Sequence, residues 1–303
     1  MLAFGNYILS GRMQAIGVIS FLSILSLLIP PLAFLASGVP IALVTLRKGP
    51  YRAAEVIIGT LVLVSLLAWL LSIQPLLSLV MLLTIWVPVC LCAAALRRTQ
   101  KPVMMSLTAA GLAVAYIFFM YVRFGDVESF WRSLLQEMLN SELAAGNTEQ
   151  IQQAIEIAPP LMNAVVASSL VISLTAAVLI ARWWQSSLFN PGGFSKEFHV
   201  FCLPKQLALP TIVGMGLLFL GEQAFAPLLR ELLVVMVILY LFQGIASIHR
   251  TVKKRSLSSI WLIVMYFLLA SWVLTPVMVI FIAWIGMTDS LLSSRTQSNG
   301  DGE

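Results

Sequence analysis

Charge is scarce in this 303-residue sequence, with Asp, Glu, Lys and Arg together making up 10% of it. Histidine is scarcer still: His199 and His249 are the only two, with no ligand spacing around either, so no metal site is expected. The three cysteines predict no disulfide, because Cys90 and Cys92 lie two positions apart in one apolar run, on different helix faces, and Cys202 falls in a loop. No GxxxxGKS/T loop, HExxH pair, GxSxG elbow or dinucleotide fingerprint occurs. Nucleotide hydrolysis, familiar intramembrane proteolysis and cofactor chemistry therefore find no support, and the chain is not read as an enzyme. The centres of its apolar runs hold no Asp, Glu, Lys or Arg, which argues against a self-powered secondary transporter, although amides and backbone can serve instead.

What is present is hydrocarbon: 60% of residues are hydrophobic and the mean hydropathy is +0.96, more apolar surface than a soluble domain of this size can bury. The runs are long and unbroken rather than alternating, and in lipid a backbone must satisfy its own hydrogen bonds, so they are read as helices. The expected fold class is all-α, a polytopic integral membrane helical bundle forming one transmembrane domain over residues 1–303. Apolar segments at 13–29, 32–46, 53–73, 75–96, 103–122, 160–182, 207–221, 228–248 and 257–287 predict eight or nine spans. Pro30-Pro31 divides the first long run into two short pieces, which fit two tilted helices or one broken, partly re-entrant pair. No cleaved signal peptide is expected, because the first run continues past these prolines without a small-residue cleavage site.

The stretch HRTVKKRS, His249 to Ser256, is the densest basic cluster. If the segments alternate across the bilayer, fourteen of the eighteen basic residues fall on one side with it, and only Arg123, Arg132, Arg230 and Arg295 fall on the other, together with eleven of the thirteen acids. The positive-inside rule then predicts a cytoplasmic N-terminus and an extracytoplasmic C-terminus. On this reading HRTVKKRS is a topology anchor that also meets anionic lipid, and a turn of this size has no base-reading module for nucleic acid.

Two connections are long. Residues 123–159 form the extracytoplasmic one, where Val127, Phe130, Trp131, Leu134, Leu135, Met138 and Leu139 recur at helical spacing and predict an amphipathic helix. A break at Ala145-Gly146 and a second helix over Glu149 to Ala158, capped by Asn147 or Thr148, follow. This hairpin either lies on the membrane or closes over an outward pocket as a lid. Residues 183–206 form the cytoplasmic connection, with a tight turn at Asn190-Pro191-Gly192-Gly193 and aromatic residues interleaved with charge. Phe194, Phe198, Phe201 and Lys205 are candidates for docking a partner, the alternative being a connector lying along the inner interface. Residues 293–303 read as a short disordered tail.

Polar groups gather near the outer ends of the spans. Glu222, Gln223, Arg230, Glu231, Asn163, Arg123 and Asp126 are candidate ligand-binding residues, with Tyr116, Tyr121 and Trp131 as walls. Gln243 and Gly244 lie inside an apolar run, where an amide bonds a neighbouring helix and a glycine lets it approach, and Gly214 and Gly216 read in the same way as packing positions.

NPGGFSKEFHVFCLP (Asn190 to Pro204), QGIASIHR (Gln243 to Arg250) and IGMTDSLLSSR (Ile285 to Arg295) resemble the YybS-like predicted membrane proteins of bacteria. That family is distantly similar to the S components of energy-coupling-factor transporters. The resemblance implies a bacterial inner-membrane bundle that binds a small molecule from outside and is energised by separate membrane and ATPase partners. S components have six spans, fewer than the segments counted above, and their AxxxA coupling face finds here Ala15 followed by Ile19. The other expectation is a non-transporting interaction or assembly protein.

Overall fold

A computed structural model describes residues 2–26, 34–74, 76–144, 148–220 and 225–298, with side chains left aside at 140–151, 154 and 293–298. The described residues form helices and turns, with no strand among them. They group into two compact units: residues 1–109, 172–202 and 246–262 form the first, and 110–171, 203–245 and 263–303 the second. Three long helices, Pro102–Phe124, Pro159–Phe189 and Ala226–Lys254, contribute to both.

The first unit begins with α1 (Leu2–Ser10) and α2 (Arg12–Leu25), bent by 120° at Gly11. Next come a π-helical turn (Phe34–Gly38) running into α3 (Val39–Lys48), then α4 (Pro50–Leu70), and then α5 (Leu76–Met81), a second π-helical turn (Leu82–Trp86) and α6 (Val87–Thr99) as one rod. Both π-helical turns have the same cause. A proline ring clashes with the carbonyl four residues back, and the residues in that position for Pro40 and Pro88, Ala36 and Thr84, lie inside the two widened turns. Helix α3 is the centre of this unit, buried without interruption from Val39 to Leu46 and packed on α4 and α6. Trp86, fully buried, donates its indole N–H to Ser37 Oγ at 3.3 Å, the partner that a buried indole needs. Gly49, at φ 94°, makes the turn into α4, whose first residue is Pro50, a position where a missing N–H costs nothing.

Helix α7 (Pro102–Phe124) leads to the hairpin α8 (Val127–Ala144) and α9 (Thr148–Ile157), then α10 (Pro159–Phe189) and the short α11 (Gly193–His199). A 3₁₀ turn (Lys205–Leu207) opens α12 (Ala208–Phe219), followed by α13 (Ala226–Lys254), α14 (Ile260–Ala270) and α15 (Thr275–Ser298). The expected break at Ala145-Gly146, the cap at Asn147, the prolines 30 and 31 and the end of the 207–221 run lie outside the described residues.

Among the described residues six helices are long and apolar enough for a crossing: Pro50–Leu70, Leu76–Thr99, Pro102–Phe124, Pro159–Phe189, Ala226–Lys254 and Thr275–Leu292. The bent pair of α1 and α2 meets the test jointly, while Lys205–Phe219 and Ile260–Ala270 are shorter. The expected single span 257–287 is corrected to two helices. Pro276 has no N–H to give Trp272, and the chain turns at 271–274, with Thr275 Oγ1 donating to the Ser271 and Leu269 carbonyls at 2.7 and 2.8 Å. Helix α15 also continues to Ser298, through the first part of the tail expected at 293–303.

Candidate functional site

In the second unit, three helices converge on Glu231. Its side chain comes from the first turns of α13 and is 5% exposed. Tyr121, near the end of α7, donates its hydroxyl to Glu231 Oε1 at 3.2 Å, and Asn163, in the first turn of α10, donates Nδ2–H to Oε2 at 2.6 Å. Both carboxylate oxygens thus accept from neutral donors. No ion pair is made by Glu231 among the described residues. Asn163 is 1% exposed, and its Oδ1 is buried with no hydrogen-bond donor among the described residues. Prolines 159 and 160 start α10 in the helical conformation, which sets the height of Asn163 on its first turn.

Of the other candidates, Arg230 is exposed although it adjoins Glu231, because successive helix residues point about 100° apart. Arg123 is exposed, its guanidinium 5.1 Å above the Phe124 ring. Asp126 caps α8: Oδ1 accepts the Ser129 N–H at 3.0 Å and Oδ2 the Ser129 hydroxyl at 2.6 Å. Those bonds hold its carboxyl below the usual aspartate range. The site that is brought together is therefore Asn163, Glu231 and Tyr121, while Arg123, Arg230 and Asp126 have other surroundings, and Glu222 and Gln223 lie outside the described residues. Tyr121 entered the sequence reading only as an aromatic wall; its hydroxyl is the polar handle that wall residues carry.

A second polar cluster joins Leu203, in the segment that leads into α12, to α13 and α15. Gln243, fully buried, accepts the Leu203 N–H at 2.9 Å and donates to Asp289 Oδ2 at 3.0 Å. Ser290 donates its hydroxyl to the Leu203 carbonyl at 3.1 Å. Beside it the helix backbones approach closely: a Cβ on Gly244 would stand 1.9 Å from the Ile282 carbonyl oxygen, and one on Gly286 2.0 Å from that of Tyr240. Gly214 meets Leu229 and Leu233 of α13 at ordinary to tight distances. Asp289 is the member that sequence reasoning missed, and a lone acid following an apolar run was its only signal.

The model of one protein family matches residues 16–290, a family described as predicted membrane protein, DUF2232. The chain belongs to this family. No curated protein and no solved structure matches it. In this DUF2232 chain the aromatic candidates of the 183–206 segment form a ladder, with Phe194 and Phe198 stacked at 5.8 Å, Phe198 and Phe201 6.5 Å apart, and His249 edge-on to Phe198 at 5.5 Å. Phe201 is 1% exposed, so its ring offers no surface to a partner, whereas Phe194 and Phe198 are half-buried and Lys205 is exposed. The segment is anchored by Arg182, whose guanidinium grips both oxygens of Glu197, Nε to Oε2 at 2.8 Å and Nη2 to Oε1. Arg250 donates to the His199 carbonyl at 2.9 Å. Burial, with Lys253, His249 and Arg250 nearby, pushes the His199 imidazole below its ordinary range.

Proposed function

We propose that this DUF2232 protein is a bacterial inner-membrane binding protein for a small molecule carrying a positive charge, with Glu231 as the recognising group. The observation that supports this most is a carboxylate nearly removed from water within a membrane bundle and hydrogen-bonded, among the described residues, by neutral donors. Removing a carboxylate from water costs several kcal/mol after relaxation. A hydrogen bond to a charged group returns about 1.5–3 kcal/mol, and the Tyr121 bond at 3.2 Å belongs at the lower end. The deficit is what a cationic ligand would fill, and the unpartnered Asn163 Oδ1 supplies a second acceptor for an N–H of the same group. A titratable group placed this way is functional by default in membrane proteins. The α8–α9 hairpin, tied by Arg132 to the Ile155 carbonyl at 3.3 Å, fits the role of a lid. The resemblance to transporter S components favours handing the ligand to separate coupling and ATPase partners.

The test is mass spectrometry of small molecules released from protein purified out of cells, comparing the natural chain with Glu231→Gln, which keeps shape and removes charge. A cationic compound should accompany the natural protein and be lost from the variant; identical profiles would refute the reading. The half-exposed Phe194 and Phe198, and the exposed Lys205 later in the same connection, favour the second reading, an interaction or assembly protein. Photo-crosslinking from position 198 that captures one abundant partner, with no ligand released, would select it.

Charge and the course of α15 support an orientation. Ile280 and Trp284 share a cavity with Met215 and Val237, while Asp289 and Ser290, later in α15, reach Gln243 and Leu203, the residues nearer the Lys205 end of α12 and α13. Helix α15 therefore runs toward the Lys205 end. This supports a return of the chain to the basic side after the α14–α15 turn, in place of the extracytoplasmic C-terminus that strict alternation predicts. Helix α14, at about 16 Å, is too short to cross a core of about 30 Å by itself. Arg295 then joins the basic side, which holds fifteen of the eighteen basic residues, a sharper asymmetry than fourteen. With the N-terminus on the same side, both ends are cytoplasmic.

A further inference from the structure

We propose that the elbow between α1 and α2 binds a phosphate-bearing anion. A cavity of about 330 Å³ opens there, ringed by Arg12 at the start of α2, Lys48 at the end of α3 and Arg52 at the start of α4, with Ile8, Ala15 and Val44 as an apolar floor. At about 30 Å³ per water, it has room for a phosphate and a glycerol-sized stem.

The three cations are answered by a single carboxylate, which two of them touch. Glu55 Oε2 accepts from Arg12 Nε at 3.0 Å and from Arg52 Nη1 at 3.2 Å, which leaves the ring with a net charge of two. The other basic groups of these turns are engaged elsewhere: Arg47 stacks over the Phe189 ring at 4.1 Å, and Arg97 donates to the Leu46 carbonyl. Lys48, on the cavity wall, makes no hydrogen bond or ion pair among the described residues. Like charges converging from three helices repel unless an anion lies among them. A phosphate ester carries about one to two negative charges and tetrahedral oxygens that face three donors at once, which a two-oxygen carboxylate does not. Arginine forks and a lysine point charge are the usual phosphate partners. The apolar floor adds a place for the carbon stem of an amphiphile.

The phosphate belongs either to an acidic phospholipid headgroup or to a water-soluble phosphate ester, and two arms of one experiment separate these. The full chain in detergent is exposed to phosphatidylglycerol and phosphatidylcholine in equal amounts and weighed by native mass spectrometry; in parallel it is titrated with glycerol 3-phosphate. Preferential retention of phosphatidylglycerol identifies the lipid, and saturable glycerol 3-phosphate binding without lipid preference identifies the soluble ester. In either case Lys48→Ala and Arg52→Ala should each weaken binding about tenfold, the worth of one charge-assisted contact. Glu55→Gln should tighten it by removing the competing carboxylate, an outcome that misfolding cannot imitate. Equal retention of both lipids with no glycerol 3-phosphate binding, or binding that none of the three substitutions changes, would overturn the proposal. None of these residues is used in the Glu231 reading, so the two stand or fall separately.

Discussion

Replacing Gly244 by alanine should loosen the α13–α15 crossing, where two backbones approach closely. The new carbon would be 1.9 Å from the Ile282 carbonyl oxygen, where ordinary contact begins at 3.4 Å, so the two backbones must part by about 1.5 Å. The obstacle is main chain on both sides, which no rotamer change relieves. Overpacking of this kind costs about 3 kcal/mol at the upper end of its usual range. Alanine returns about 1 kcal/mol through its better helix propensity. The net loss of about 2 kcal/mol corresponds to a melting temperature lower by about 4–8 °C, at 2–4 °C per kcal/mol. Fluorescence-detected size exclusion after heating in mild detergent measures this, with Gly216→Ala and Gly111→Ala as controls, since an added carbon there meets nothing within 4 Å. The controls should hold or gain stability. Gly286→Ala should match Gly244→Ala, and the double variant should lose less than the two losses combined, because one separation relieves both contacts. A Gly244→Ala protein as heat-stable as Gly216→Ala would show that the close approach is not what joins these helices.

Three further outcomes are expected. His199 binds a proton less readily in the folded protein than in the unfolded chain, so the unfolded state holds more protons just below pH 6.5; stability should be full above that value and fall as the pH drops through it, and His199→Gln should flatten the melting-temperature profile there. The Asp126 cap works in the opposite chemical sense, a carboxylate depressed by its Ser129 bonds, so its contribution is present above about pH 4 and lost as acid protonates it. Asp126→Ala should show the same loss of α8 helicity at neutral pH by circular dichroism, with Asp126→Asn recovering part of it. A single cysteine introduced at Ser293, in a chain whose three native cysteines are replaced by serine, should resist a membrane-impermeant maleimide added to intact cells, as one at Lys254 does, while one at Glu137 is labelled; labelling at 293 would refute the cytoplasmic return of α15.

Periodicity and hydropathy made the helical rods legible, because lipid forces a backbone to close its own hydrogen bonds whatever the side chains do. Where a rod ends is decided by single residues. Pro276 was visible inside the 257–287 run, yet hydropathy weighs a proline hardly at all, and so one apolar stretch concealed two helices and the turn between them. Glu231 and Asn163 were legible as a pair of candidates because both are polar residues at the rims of apolar runs, where burial makes polarity costly. Their separation from Arg230 and Arg123 was not, since a list of neighbouring charges carries no helical phase: Arg230 and Glu231 adjoin in the chain and face different surroundings. The same blindness hid Asp289, which linear order assigns to the end of the last span and hydrogen bonding assigns to Gln243. That bond also bears on orientation. Counting charges along alternating segments needs every reversal to be a full crossing, and in the orientation proposed above a hairpin at Pro276 would shift that count by one. On that proposal Arg295 falls with the other basic loops, and the positive-inside rule, applied to the folded chain instead of to the hydropathy trace, agrees better with its own premise.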